Sequence, residues 1–317
     1  MSAVTERPVK APGGFQYKSA AKKIRRHWQL YFIIMLPFLH MIIFRYIPMY
    51  GVLIAFKEFR ISMGILKSPW VGLKWFVSFF NTPSAFQIIS NTLMLSIYGL
   101  LAGTLFAILL AISLNEMRTL WYKKLVQMVS YAPYFISTVV LVSLLLQFFN
   151  TRLGLVNIII NALGGESVNF LNDSKTFRPM YVWSGIWQGT GYSAIIYIAA
   201  LSSINPELYE SARIDGANRL QKIWHIDLPG ITPTIIMLMI LSLGGILNVG
   251  FEKTFLMQNA MNLRYSEVIS TYVYKVGLQQ HNFSFSTAVG MFNSLVSLVL
   301  IVGVNFLARR YTETSLW

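Results

Sequence analysis

Asn91–Leu114 reads NTLMLSIYGLLAGTLFAILLAISL, with no charged side chain anywhere in it. As a helix rising 1.5 Å per residue it would extend about 36 Å, enough to cross a hydrocarbon layer about 30 Å thick. Working outward, the chain divides into further uncharged windows: His27–Phe44, Trp75–Asn115, Leu125–Thr151, Pro179–Pro206, Leu228–Phe251 and Val276–Ala308. Each supplies the roughly 20 apolar residues that a membrane-crossing helix needs. Trimmed, they predict six spans near 29–47, 91–114, 126–149, 180–204, 230–251 and 286–308. The composition agrees. Of 317 residues, 55% are hydrophobic and 12% charged, about half the charged share of a soluble domain. An all-α integral membrane protein is expected.

Lys and Arg number 26 against 12 Asp and Glu, leaving a net charge of +14. Nucleic-acid binders set basic patches on a polar surface, whereas these residues punctuate apolar runs, so they report topology and no nucleic-acid partner is expected. Placing both termini in the cytoplasm puts 15 Lys and Arg on the inside segments 1–28, 115–125, 205–229 and 309–317. The longer outside segments 57–90, 150–179 and 252–285 then hold 10, with net charges of +3, +1 and +1. Basic density is about twofold higher inside, as the positive-inside rule requires. The cluster Lys18, Lys22, Lys23, Arg25 and Arg26 precedes the first span directly. That span continues into Arg45-Tyr46-Ile47-Pro48 without a cleavage pattern, so it reads as a retained helix rather than a signal peptide. A basic tail (1–28), a six-span domain (29–308) and a short tail (309–317) follow. The run Leu153–Gly165, broken by Asn157 and Asn161, is too short to cross and reads as an interfacial helix of an external loop.

Several chemistries are missing. There are no cysteines, His27, His40, His225 and His281 are isolated, and no G-x-S-x-G elbow occurs. The trimmed spans hold no carboxylate, which argues against a proton- or sodium-coupled carrier. Gly245-x-x-x-x-Gly250 is followed by Phe251 and Glu252 where a phosphate loop needs Lys and Ser or Thr. Active transport would draw its energy from another subunit.

Residues 203–229 differ from the rest. Asn205 suits a helix N-cap, Pro206 the first turn, and Glu207 and Glu210 the positive end of the helix dipole. Gly216 interrupts, a second stretch follows with Leu220, Ile223 and Trp224 on one face, and Leu228-Pro229-Gly230 is expected to stop it before the fifth span. Two short amphipathic helices parallel to the membrane are predicted. The residues alone leave two readings open: a loop folded on its own helix ends, or a docking element for a cytoplasmic partner.

Glu210-Ser-Ala-x-x-Asp215-Gly216-Ala217, nine residues and then Ile226-x-Leu228-Pro229 resembles the E-A-A-x-x-x-G…I-x-L-P loop of binding-protein-dependent ABC importer permeases. Ser211 stands where the first Ala is usual. Tyr46–Gly51 with Ile54–Lys57, Gly154–Asn157, Trp187 to Ile204, Phe285–Ser294 and Thr314–Trp317 are similar to the oligosaccharide and polysaccharide branch of that family. The resemblance implies the six-helix core of the maltose-type permeases, with a coupling helix between spans 4 and 5. By it, Glu210, Ser211, Ala212, Asp215, Gly216, Ala217, Leu228 and Pro229 would meet a dimeric ABC ATPase. That ATPase, not this chain, would hold ATP and Mg; no cofactor is expected here. The other implied partners are a second homologous permease in a heterodimer, an extracytoplasmic sugar-binding protein and an oligosaccharide, in a bacterial cytoplasmic membrane. Trp183, Trp187, Gln188, Tyr192, Asn248 and Asn293 could line the sugar path, since aromatic faces and amides hold sugars; helix packing is the alternative for each. Two classes compete: a channel or secondary carrier, which offers no account of the 203–229 loop, and a membrane-embedded sugar transferase, which would need a catalytic acidic cluster that the sequence does not show.

Overall fold

The computed structural model describes residues 26–173 and 175–312, so the tail residues before Arg26 and after Thr312 lie outside the described residues. The described residues divide into two compact units, one up to Leu53 and the other from Ile54. The described chain is helical, with an isolated bridge between Lys57 and Trp70 and no strand. The helices used below are α1 (Trp28–Phe56), α2 (Lys74–Phe80), α3 (Ala85–Glu116), α4 (Leu120–Tyr131), α5 (Thr138–Phe148), α6 (Leu155–Ala162), α7 (Phe177–Ser202), α8 (Pro206–Ile214), α9 (Arg219–Leu243), α10 (Phe251–Met257), α11 (Ile269–Tyr274) and α12 (Phe283–Thr312).

Four of these, α1, α3, α9 and α12, are long and apolar enough to cross a membrane. The predicted span 126–149 is not one rod. A break at Ile136 and Ser137 bends it by 98° between the α4 and α5 segments, which together make a fifth candidate. Pro133 tightens the end of the first segment into a 3-10 turn, and the extended Ser137 caps the second by accepting from Val140 N. The predicted span 180–204 is α7, whose 26 residues extend about 39 Å. Its Trp, Gln, Gly and Ser content makes it less apolar than the four.

Two boundaries are corrected. Leu228-Pro229-Gly230 does not stop the second loop helix; α9 runs through it from Arg219 to Leu243. A wide π turn over Ile223–Asp227 lies just ahead, and Pro229 then falls in the first turn of the following α-helical stretch, where its missing N–H is tolerated. At the other end the span stops at Leu243, not near 251. The Gly244-Gly245 pair disfavours helix, and the chain reaches Gly250 through turns and irregular backbone.

Small residues set how closely the long helices pack, since lipid removes most of the hydrophobic drive between them. Ala107 and Ala111 of α3 meet Ala194, Tyr197 and Leu201 of α7 and Ile231 of α9 in one buried cluster. Leu95, Val142, Phe177, Val249, Met257 and Val268 form a second, joining α3, α5 and α7 to the segments after α9. Phe79, Ile88, Ile269, Phe285 and Val289 close a third among α2, α3, α11 and α12. The tightest glycine contact is at Gly191, where an added Cβ would stand 2.0 Å from the Ser130 carbonyl oxygen of α4. Gly99, Gly103 and Gly189, small residues at helix spacing, have open space instead. On α6, Asn157 is fully buried and joins Asn150 and Val168 through their backbones, a structural role.

Candidate functional site

The 203–229 segment is built as its residue types dictate. The Asn205 side chain accepts from Glu207 N, capping α8 with Pro206 in the first turn. At the far end Gly216 takes φ +75°. Gly216 N donates to Arg213 O and Ala217 N to Ala212 O, a paired closure that a left-handed residue permits. Asn218 and Gln221 then cap each other reciprocally and start α9. Between the two helices lies a notch of about 340 Å³, lined by Ala212, Asp215, Gly216, Ala217, Gln221, Lys222, His225 and Ile226.

Glu210, Ser211, Asp215 and Gly216 are exposed, Ala212 and Ala217 half-buried. Ser211 spends its hydroxyl on the Glu207 and Leu208 carbonyls, which leaves its compact profile at the surface. Leu228 is half-buried in α9 and Pro229 exposed beside it, two and three residues along the chain from Ile226 of the notch. Leu208, Ile214, Leu220 and Trp224 are 50%, 87%, 76% and 70% exposed, so the segment carries apolar side chains that the chain leaves bare.

The six candidates for a sugar path do not converge. Gln188 donates to the Ile136 carbonyl at 2.7 Å, satisfying an oxygen freed by the break between α4 and α5. Tyr192 stacks on Tyr134 with centroids 3.9 Å apart. Trp183 meets Phe106 edge-on and lines a cavity with Tyr98 and Arg178; Trp187 is exposed. Asn248 lies on the irregular link after α9 rather than on a helix, and accepts from Asn293 Nδ2 of α12 at 3.2 Å. Of the six, this is the pair joined by a hydrogen bond.

Comparison with known proteins settles what kind of molecule carries this loop. Residues 99–313 match the family described as binding-protein-dependent transport system inner membrane component. The chain belongs to that family. The permease is 42% identical to the protein LplB of Bacillus subtilis over 311 residues, 98% of this chain and 97% of the relative. It is also 42% identical to the polygalacturonan/rhamnogalacturonan transport system permease YteP of the same organism, over 93% of this chain and 92% of that one. A bacterial ABC transporter involved in the import of the acidic polysaccharide alginate has a chain that superposes with TM-score 0.86 at 41% identity, covering 93% of this chain and 99% of that one. The alginate transporter has also been solved with an alginate pentasaccharide-bound periplasmic protein, the match there being 40% identical. The permease is thus a multi-pass inner-membrane component of an ABC transport system and not an enzyme.

One contact in the permease escaped sequence reasoning. Tyr209 of α8 donates from Oη to Asp227 Oδ1 of α9 at 2.5 Å. Asp227 is fully buried and its Oδ2 has no partner. Burial pushes the Tyr209 hydroxyl above the ordinary tyrosine range, and the hydrogen bond and charge of Asp227 push it further, with Glu116 adding to them. The tyrosine therefore keeps its proton, and with it this hydrogen bond, across the physiological range. This tie joins the short helix to the long one.

Proposed function

We propose that the permease carries oligosaccharides or polysaccharide fragments inward, coupled to ATP hydrolysis on a separate dimeric ABC ATPase through α8 and the notch beside it. The observation that carries the reading is a short helix outside the long apolar stretches, bearing bare Leu208 and Ile214 and capped so as to hold Glu210 and Gly216 at the surface. Glu210 would offer a charged hydrogen bond to the ATPase, and Ser211, Ala212, Gly216 and Ala217 would let it approach closely. Leu228 and Pro229 would support the loop through α9.

In this reading α7 and the bent α4–α5 pair complete six spans with α1, α3, α9 and α12, and both termini are cytoplasmic. A second homologous permease makes the other half of the path, and an extracytoplasmic sugar-binding protein delivers the substrate. The names of the relatives, with polygalacturonan, rhamnogalacturonan and alginate among their cargoes, support the sugar class; the periplasmic protein in the alginate complex supports the delivery partner. ATP and Mg belong to the ATPase. Switching the spans from 1:99 to 99:1 needs about 5.5 kcal/mol of differential binding, so the helix has to dock firmly. The test is uptake by the reconstituted complex: Glu210→Lys and Gly216→Trp are expected to abolish it while the chain stays inserted. Wild-type uptake by both variants would refute the assignment.

A further inference from the structure

Lys253 is a buried cation to which no anion is paired among the described residues. It sits on α10, just past the fifth apolar window, and is 8% exposed. Its ammonium donates to the Tyr181 carbonyl at 2.8 Å and lies 4.6 Å from the centre of that tyrosine's ring. The salt bridges among the described residues join Arg60 and Lys74 to Glu58, and Lys275 to Glu267; none includes Lys253. Burial brings its pKa down to about 8, which leaves it mostly protonated at neutral pH. Gly185 opens the place, since a Cβ there would stand 3.3 Å from Nζ.

A second cation on α7 is held in the same way. Arg178, one turn before Tyr181, donates to Asn91 Oδ1 at 2.8 Å and lies 4.9 Å from the Tyr265 ring centre. Its buried Nε has no partner. Neutral acceptors and aromatic faces hold such groups in place without cancelling their charge. An unpaired ionisable side chain at membrane depth or beside it is costly, and it points to something that passes or binds there.

Lys253 is not itself part of a cavity lining; its connection to one runs through Tyr181, whose ring and carbonyl its ammonium contacts. Tyr181 walls a cavity of about 200 Å³ that also contains Ser96, Ser242 and Asn248. Across the Asn248–Asn293 hydrogen bond lies a groove of about 520 Å³, where Phe251 and Tyr274 supply aromatic faces and Ser270 and Thr287 hydroxyls. Neither lining contains a carboxylate. A lone positive charge in a water-poor wall acts at a distance and is little screened by salt, so it favours a negatively charged occupant over a neutral one of the same shape.

We propose that Lys253 makes the permease selective for acidic oligosaccharides, chains bearing uronate carboxylates, by setting a positive charge against Tyr181 in the wall of the smaller cavity. The proposal rests on the reading that the permease carries oligosaccharides. The test uses the complete complex in liposomes, with its binding protein saturated by trigalacturonate or by the methyl ester of the same chain. Uptake is measured for wild type, Lys253→Met and Lys253→Arg. Lys253→Met is expected to lower trigalacturonate uptake at least about tenfold and the ester less than about twofold, while Lys253→Arg keeps both near wild type. Should Lys253→Met not assemble, Lys253→Gln, which keeps a donor for Tyr181 without the charge, is judged by the same ratio. An equal change on the two probes, no change on the acid, or a wild type that takes up only neutral chains overturns the inference and leaves the sugar reading standing. A wild type that takes up no oligosaccharide, acidic or neutral, overturns both.

Discussion

Replacing Tyr209 by Phe removes one hydrogen bond and almost nothing else. The ring stays half-buried in its place, while Asp227, fully buried and already missing a partner on Oδ2, loses the donor on Oδ1 as well. A hydrogen bond to a charged group contributes about 1.5–3 kcal/mol net. If that energy holds α8 against α9, its loss lowers the population of correctly seated α8 by roughly 10- to 150-fold, at 1.4 kcal/mol per decade. The assay is uptake per ATP hydrolysed in the reconstituted complex. Tyr209→Phe is expected to keep ATP hydrolysis but to cut uptake at least about tenfold. Asp227→Asn, whose amide oxygen can still accept from Tyr209, should lose less. The pH dependence has a definite sign. Because the folded tyrosine's pKa is raised, the tie is fully present below the ordinary tyrosine pKa of about 10 and is lost only as pH rises beyond it. Coupling through this contact should therefore be flat between about pH 6 and 9. Wild-type coupling in Tyr209→Phe with an unchanged melting temperature would refute the reasoning.

Three further outcomes follow from the geometry. Gly191→Ala would set a Cβ against the Ser130 carbonyl, forcing α7 away from α4; a loss of about 1–3 kcal/mol is expected in thermal unfolding of the purified chain. Gly216→Ala meets open space but a left-handed backbone, so about 1–2 kcal/mol of local strain should weaken uptake, and Gly216→Asn should weaken it less. Gln188→Leu strands the Ile136 carbonyl at the α4–α5 break, and should lower the melting temperature without altering substrate competition; a changed preference would return Gln188 to the sugar path.

What was legible in the sequence was local. The start of α8 at Asn205-Pro206-Glu207 and the turn at Gly216 follow from capping and backbone preference, and the structure has both. The windows near 29–47, 91–114 and 286–308 lie inside helices α1, α3 and α12 because charge-free runs of that length have no better solution in a membrane. The 98° break was hidden in a window as apolar as its neighbours, where Pro133 and Ser137 were its visible traces. Leu228-Pro229-Gly230 looked like a stop because a proline's effect depends on the turn before it, and the π turn over Ile223–Asp227 cannot be read from composition. The Tyr209–Asp227 and Lys253–Tyr181 contacts join residues 18 and 72 positions apart. Periodicity within one helix carries no information about such pairs. The aromatic residues of α7 were plausible sugar ligands by type, but type does not reveal that Tyr192 is already stacked on Tyr134.

The absence of cysteine from the whole chain permits a clean measurement on α8. A single Ser211→Cys substitution places one thiol on its exposed face, beside Glu210. In the assembled complex a short thiol-to-amine cross-linker from that position should capture the ATPase subunit, with a yield that changes when ATP closes the ATPase dimer. Capture of the sugar-binding protein, or no capture of the ATPase in a complex that still hydrolyses ATP and transports, would contradict the claim that α8 is where the permease is driven.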